Sequence, residues 1–281
     1  MAIVEDVIRP MTPVDLEPAA DLLRRGDFGE RLPFLSWALD HPALRLFVAE
    51  ADGRIVGTGT GSAHGRVGWI GVIFVAADQR GSGLGGRITD VVIDDLEARG
   101  CRTQLLIASP MGRPLYERRG FRELDWQVRL SIDGLPPDDR LDRRIRPFRD
   151  RDLEALVELD RFATGEDRRA VLEGLVTAES TLVAVDGTDN VRGYLIRPPW
   201  RGGALIAPDP ADALRLLECR RRSTGVSGKA GAGVLASNVA GRSRLAEAGW
   251  HEEMGNVRMI RGEPLDWHPD AIFGQLNGAL G

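Results

Sequence analysis

Residues 75–96 read VAADQRGSGLGGRITDVVIDDL, and the reading of their glycines decides the fold. Four glycines fall within the six residues 81–86. They follow the apolar run GWIGVIFV and precede a segment in which Leu84, Ile88, Val91, Val92 and Leu96 share one helical face, with Asp90, Asp94 and Asp95 off it. Gly100 ends that helix. A strand, a glycine loop and a helix in this order make a cradle for phosphate. Glycines let successive N–H groups converge without Cβ atoms in the way, and the helix N-terminus adds partial positive charge.

Two phosphate-binding readings compete with a third. Gly81, Gly83 and Gly86 satisfy the spacing of a dinucleotide fingerprint, which would make the chain a nucleotide-cofactor oxidoreductase. That fingerprint also needs a carboxylate at the end of the next strand, and TQLLIASPM supplies none. A P-loop is excluded, because no Gly-Lys-Ser/Thr follows. The third reading starts at Arg80. Arg80-x-x-Gly83-x-Gly85, after a strand and opening a long amphipathic helix, resembles the acyl-CoA signature of the GNAT superfamily of N-acetyltransferases. LYERRGF, residues 115–121, resembles the tyrosine-then-Gly-Phe element of the same superfamily.

The resemblance implies acetyl-CoA as cosubstrate and a primary amine, on a small molecule or a peptide, as acceptor. It implies that Arg80, Gly81, Ser82, Gly83, Leu84, Gly85 and Gly86 hold the diphosphate, while N–H groups near Phe74 and Val75 hold the pantetheine and polarise the thioester. Tyr116 is then the general acid at the sulfur. His64 is the candidate base by its ordinary pKa, followed by Glu50 and His41. The chain departs from the family pattern in three places. SPMGRP stands where an asparagine often precedes the tyrosine, GWIGVIFV lacks an ionisable group, and Ala77 replaces a common proline. A CoA-binding pseudoenzyme without turnover is the alternative.

The chain repeats itself. VIRPMTPVDLEPAADLL, from Val7, is echoed by RIRPFRDRDLEALVELD, from Arg144. LRLFVAEADGRIVG is echoed by STLVAVDGTDNVRG, and LYERRGFRELDWQVRLSIDG by LAEAGWHEEMGNVRMIRG. Between the copies DGLPPDDRLDRR, with two prolines and dense charge, reads as a linker. The expectation is α/β: two tandem GNAT-like modules, residues 1–135 and 143–281, each a mixed, mostly antiparallel sheet flanked by helices. In the second module LIAPDPADALRLLE replaces the glycine loop, and Pro208 and Pro210 remove two backbone donors. Leu245 stands where the first module has Tyr116. One CoA site, in the first module, is expected. Trp200, read as an exposed aromatic, or residues near it are expected to approach the acceptor end of the first module's cleft, the alternative being that Trp200 caps the second module's own core.

Composition bounds the rest. A net charge of −5 and a pI near 5.5 argue against nucleic acid as partner. The start MAIVEDVIRP has acids where a signal peptide wants bases, and WIGVIFVAA is too short to span a bilayer. Two cysteines make no disulfide framework, and no Cys/His spacing suggests a metal. These features point to a cytoplasmic protein with no membrane, nucleic-acid or metal partner. Oligomeric state is not legible.

Overall fold

The computed structural model describes residues 7–26, 28–138, 142–200 and 202–281. The acidic start around Glu5 and Asp6 and the middle of the expected linker, 139–141, lie outside the described residues. The first half runs β1 (Val7–Pro10), α1 (Leu16–Arg25), α2 (Leu32–Leu39), β2 (Leu44–Ala51), β3 (Arg54–His64), β4 (Val67–Val75), α3 (Leu84–Ala98), β5 (Thr103–Ala108), α4 (Arg113–Glu117) and β6 (Arg122–Asp133). The second half runs β7 (Ile145–Pro147), α5 (Leu153–Thr164), α6 (Arg169–Glu173), β8 (Thr181–Val185), β9 (Val191–Ile196), β10 (Leu205–Ile206), α7 (Pro210–Thr224), β11 (Lys229–Leu235), α8 (Val239–Glu247) and β12 (His251–Gly262). The order of strands and helices is the same in both halves. A short β13 (Ile272–Gly274) follows.

The repeat extends to individual bonds. In the first half Arg9 grips Asp15 with two hydrogen bonds of 2.7 and 2.8 Å, and Asp15 also accepts from the Thr12 N–H at 2.8 Å. In the second, Arg146 grips Asp152 at 2.6 and 2.9 Å, and Asp152 accepts from the Arg149 N–H at 2.8 Å. Each carboxylate thus pins the chain between a first strand and a first helix. Helix α2 has no counterpart in the periodicity, because LPFLSWAL carries no polar face to reveal it.

Contacts divide the chain into two compact units, and these are not the two halves. One unit holds Met1–Leu106 with Ile260–Glu263 and Gly278–Leu280; the other holds Ile107–Met259 with Pro264–Asn277 and Gly281. The closing strands have changed places. In the second unit β6, the last strand of the first half, pairs antiparallel with β11 from Asp133↔Lys229 to Gln127↔Leu235. In the first unit the end of the second half's last strand lies on β5: Glu263 N–H donates to Arg102 O at 3.2 Å, and Thr103 Oγ1 donates to Glu263 O at 3.0 Å.

Within the first unit the strands run β1-β2-β3-β4-β5, antiparallel except for β4 with β5. Helix α3 buries Leu84, Ile88, Val92 and Leu96 on one face of this sheet. It packs close because β3 presents glycine there; a Cβ on Gly59 would lie 2.6 Å from Ile88. The second unit carries a further sheet of order β13-β10-β9-β8-β7. Among the described residues no helix is long and apolar enough to cross a membrane.

Candidate active site

The site in the first unit begins with a fault in β4. Thr58 pairs with Phe74 but Thr60 pairs with Gly71, so β4 spends one residue more than β3 over the same span. That extra residue makes a bulge, and Val72 within it has φ +52°. A β-branched residue in the left-handed region is strained by roughly 1–3 kcal/mol and persists only where its surroundings insist on it. Thr58 supplies part of that insistence, its hydroxyl donating to Val72 O at 2.8 Å. Before the bulge β4 pairs with β5 over residues 67–69; past Trp69 no pairing between them is found among the described residues. The β5-facing backbone of β4 is therefore open from Ile70 onward, which is where the sequence places Phe74 and Val75 as thioester-holding residues.

After β4 the chain makes one short turn and enters the glycine loop. Gly81 and Gly83 both have φ +83°, which an L side chain adopts only under strain, and a Cβ on either would meet open space. Their N–H groups, with those of Ser82 and Gly85, find no acceptor among the described residues. Gly86 and Arg87 turn their N–H groups to Gly83 O at 3.0 and 3.1 Å, and Ser82 Oγ donates to Gln79 O at 2.8 Å. Gly81, Ser82 and Gly83 are exposed; Leu84 and Gly86 are buried beneath them and anchor α3. Open donors at a helix N-terminus fit a diphosphate.

Arg80 is held elsewhere. Its Nε donates to Val75 O at 3.2 Å and its guanidinium lies 5.6 Å from the centre of the Phe74 ring. The Phe74 ring also fills the turn after α1: a Cβ on Gly26 would lie 2.0 Å from it, and Phe28 meets it edge-on at 5.4 Å. A cleft of about 850 Å³ opens beside this ring, lined by Arg9, Leu22, Glu50, Val56, Phe74 and Arg80 among others.

The three candidate bases are all engaged. His64, 1% exposed, bonds through Nε2 to Ser62 Oγ at 3.0 Å, and Ser62 donates to Ala279 O at 2.7 Å. Since the serine proton goes to Ala279, Nε2 is the donor of its pair. Glu50 accepts two bonds from Arg9, at 2.9 and 3.1 Å. His41 stacks on Trp37 at 4.4 Å and accepts at Nδ1 from the Ala43 N–H at 3.2 Å. The segment Gly278–Leu280, unassigned in the sequence, packs on β4 beside the bulge; a Cβ on Gly71 would lie 2.4 Å from Ala279.

In the second unit Tyr116 sits on α4, 9% exposed, with its ring 6.1 Å from Phe121 at 70°. Burial raises its phenol to about 12, and Arg119 offsets this only in part. The counterpart of the glycine loop leads into α7, whose N-terminus is capped from within: the Asp209 carboxylate accepts the Ala211 N–H at 2.8 Å. Leu245 is buried on α8. Trp200 is not the exposed aromatic expected. It is 7% exposed: the large ring turns inward while Arg197, Pro199 and Gly202 around it stay exposed, since burying an aromatic ring outweighs the polarity of its neighbours; Arg201 lies outside the described residues.

Sequence profiles of known families meet this geometry in both halves. The Acetyltransferase (GNAT) family matches residues 9–121, and a second Acetyltransferase (GNAT) domain matches 156–274. The chain belongs to the GNAT family. It carries two GNAT domains in tandem and is an acyltransferase. An uncharacterised N-acetyltransferase of Bacillus subtilis is 26% identical over 195 residues, 67% of this chain and 68% of that protein. The glucosamine 6-phosphate N-acetyltransferase of Trypanosoma brucei brucei is 28% identical over 130 residues, 44% of this chain and 79% of that enzyme. Among solved structures, one assigned to the acetyltransferases of Pyrococcus horikoshii has the same fold, with TM-score 0.82 at 20% identity over 100% of this chain and 98% of that one. A tandem GNAT protein from the clavulanic acid biosynthesis pathway has TM-score 0.64 at 14% identity, over 93% of this chain and 100% of that one. These two show the GNAT fold. The mixed sheets flanked by helices are those expected from the sequence.

Proposed function

We propose that this GNAT protein transfers an acetyl group from acetyl-CoA to a primary amine, with the first half binding the donor. The observation that carries the reading is the row of open N–H groups on Gly81, Ser82, Gly83 and Gly85, set at the N-terminus of α3 and just past the strained bulge of β4. The loop would hold the diphosphate, and the unpaired backbone of β4 around Phe74 and Val75 would hold the pantetheine and polarise the thioester carbonyl. The amine nitrogen forms its bond to the carbonyl carbon as the C=O electron pair moves onto oxygen. Collapse then breaks the carbon–sulfur bond, and the sulfur leaves with that pair. The nitrogen's surplus proton goes to solvent or to His64, which, with Nε2 already donating to Ser62, could take it only at Nδ1.

Tyr116 would assist the departing sulfur. A phenol near 12 facing a thiol of about 8.5 makes complete proton transfer uphill by roughly 5 kcal/mol, so its role is a hydrogen bond to the developing thiolate. The second half would bind no CoA, since Asp209 already caps α7 with a negative charge and two prolines flank it. The acceptor of the trypanosomal relative makes amino-sugar phosphates one class to try. Release of free CoA thiol, followed with amino sugars, amino acids, polyamines and peptides, tests the reading. Amine-dependent release that is lost with Gly83→Val supports it, and none with any amine refutes it.

A further inference from the structure

The turn from α1 to α2 carries a charge with no ion-pair partner among the described residues. Arg31 is half-buried, and its Nε is sealed from solvent with no hydrogen-bond partner. Among the described residues no carboxylate comes within ion-pair distance of it. Its sequence neighbour Glu30 is turned to other groups, the Leu32 N–H at 2.9 Å and Arg24 at 3.4 Å. Burial pulls the guanidinium below its ordinary value, with no acid among the described residues near enough to raise it. Arg99, another half-buried arginine of this unit, does better: it meets Asp95 and two backbone carbonyls. A half-desolvated cation without a counter-charge costs stability unless an anion arrives from outside.

The position of Arg31 says which anion. Its guanidinium lies 6.0 Å from the centre of the Phe28 ring, and Phe28 in turn meets the ring of Phe74 at 5.4 Å. Phe74 lies on β4 two residues beyond the strained Val72, and its ring faces the α1 side of the sheet, opposite α3. The glycine loop opens α3. A donor whose diphosphate is held there presents its thioester along β4, and the turn bearing Arg31 stands over the other face. Resting on the acetyl-transfer reading above, we infer that Arg31 binds an anionic group of the acceptor, so that the substrate is an amine that also carries a phosphate or carboxylate. The rings of Phe28 and Phe74 would form the apolar wall between that anion and the amine.

The test pairs amines that differ only in the anion: glucosamine 6-phosphate against glucosamine, and 4-aminobutyrate against butylamine. Wild-type protein and Arg31→Gln, each saturated with CoA, are titrated by calorimetry with all four and assayed with acetyl-CoA. The wild type is expected to prefer the anionic member of at least one pair. Arg31→Gln should lose about 10- to 100-fold on that member alone, the worth of a charge-assisted hydrogen bond. Arg31→Lys should recover part of it, and CoA affinity should not change. Which pair responds assigns phosphate or carboxylate. Melting temperature separates this role from a structural one, since removing an unanswered charge should leave it level or raise it. Equal losses on both members of each pair, a drop in CoA affinity, a lowered melting temperature, or no anion-dependent binding in the wild type would each overturn the inference. Anion-dependent binding with no turnover leaves Arg31 in place and refutes acetyl transfer instead.

Discussion

Burial reinforces the ordinary state of one candidate residue and strain marks another. Tyr116 keeps its proton up to about 12 because burial disfavours the phenolate. At any working pH it is therefore a donor. Tyr116→Phe is expected to leave calorimetric CoA affinity unchanged and to lower turnover about 10²-fold, at the low end for a general acid. Unchanged turnover would mean that solvent protonates the sulfur. Val72, with φ +52°, carries strain that glycine would not. Val72→Gly should therefore cost under about 1 kcal/mol in chemical denaturation, the relieved strain offsetting the lost side chain. The same change at Val48, fully buried in regular β2, should cost about 3 kcal/mol or more. Equal losses would show that the bulge is not strained.

At the scale of elements, the loop into α3 and the join of β1 to α1 make separate predictions. Gly83→Val puts a β-branched side chain on a backbone at φ +83° and into the open space above it. CoA affinity should fall by at least about 10²-fold, the worth of two or so charge-assisted hydrogen bonds, with a modest fall in melting temperature. The join depends on pH. Hydrogen bonds from Arg9 above all hold the Asp15 carboxyl well below the usual carboxylate range. For Asp152 burial acts upward, but the bonds from Arg146 and the Arg149 N–H outweigh it and the carboxyl is again lowered. A carboxyl lowered in the folded state adds stability above its unfolded value near ~4, and loses it as pH falls through the folded value. Melting temperature should drop steeply below about pH 4, and Asp15→Asn should be less stable at pH 7 yet lose less between pH 5 and 2. Parallel curves for the two proteins would show that Asp15 is not the titrating group.

For the whole molecule, calorimetry should find one CoA per chain, because α7 is capped by Asp209 where α3 is left open. Two equivalent sites would contradict the reading of the second half. The exchanged closing strands predict a second behaviour. A chain ended after Asp138 keeps β6 but loses β11, its partner, and loses the Ile260–Glu263 and Gly278–Leu280 segments that complete the first unit. Such a fragment should show no cooperative melt, whereas mixing it with residues 139–281 during refolding should restore one. A fragment that melts cooperatively by itself would show the exchange to be dispensable.

Local signals in the sequence determined the glycine loop, the amphipathic α3, the Tyr116 helix and the duplicated order of elements. Each is written in residues close together: turn glycines, a 3.6-residue period, a motif of seven residues, a repeat of side-chain types. The family followed from them. Only the tertiary structure decided what depends on residues far apart. The extra residue in β4 shows itself only against the register of β3, and the trade of β6 for the end of β12 only when strands have chosen partners. Segment Gly278–Leu280 on Gly71, Glu50 bound to Arg9, and Arg80 laid on Phe74 are likewise invisible in order of residues. Arg31 is the clearest case. In the sequence it is one arginine among many, because what sets it apart is that no acid among the described residues pairs with it, and absence in space is not a property of neighbours along a chain.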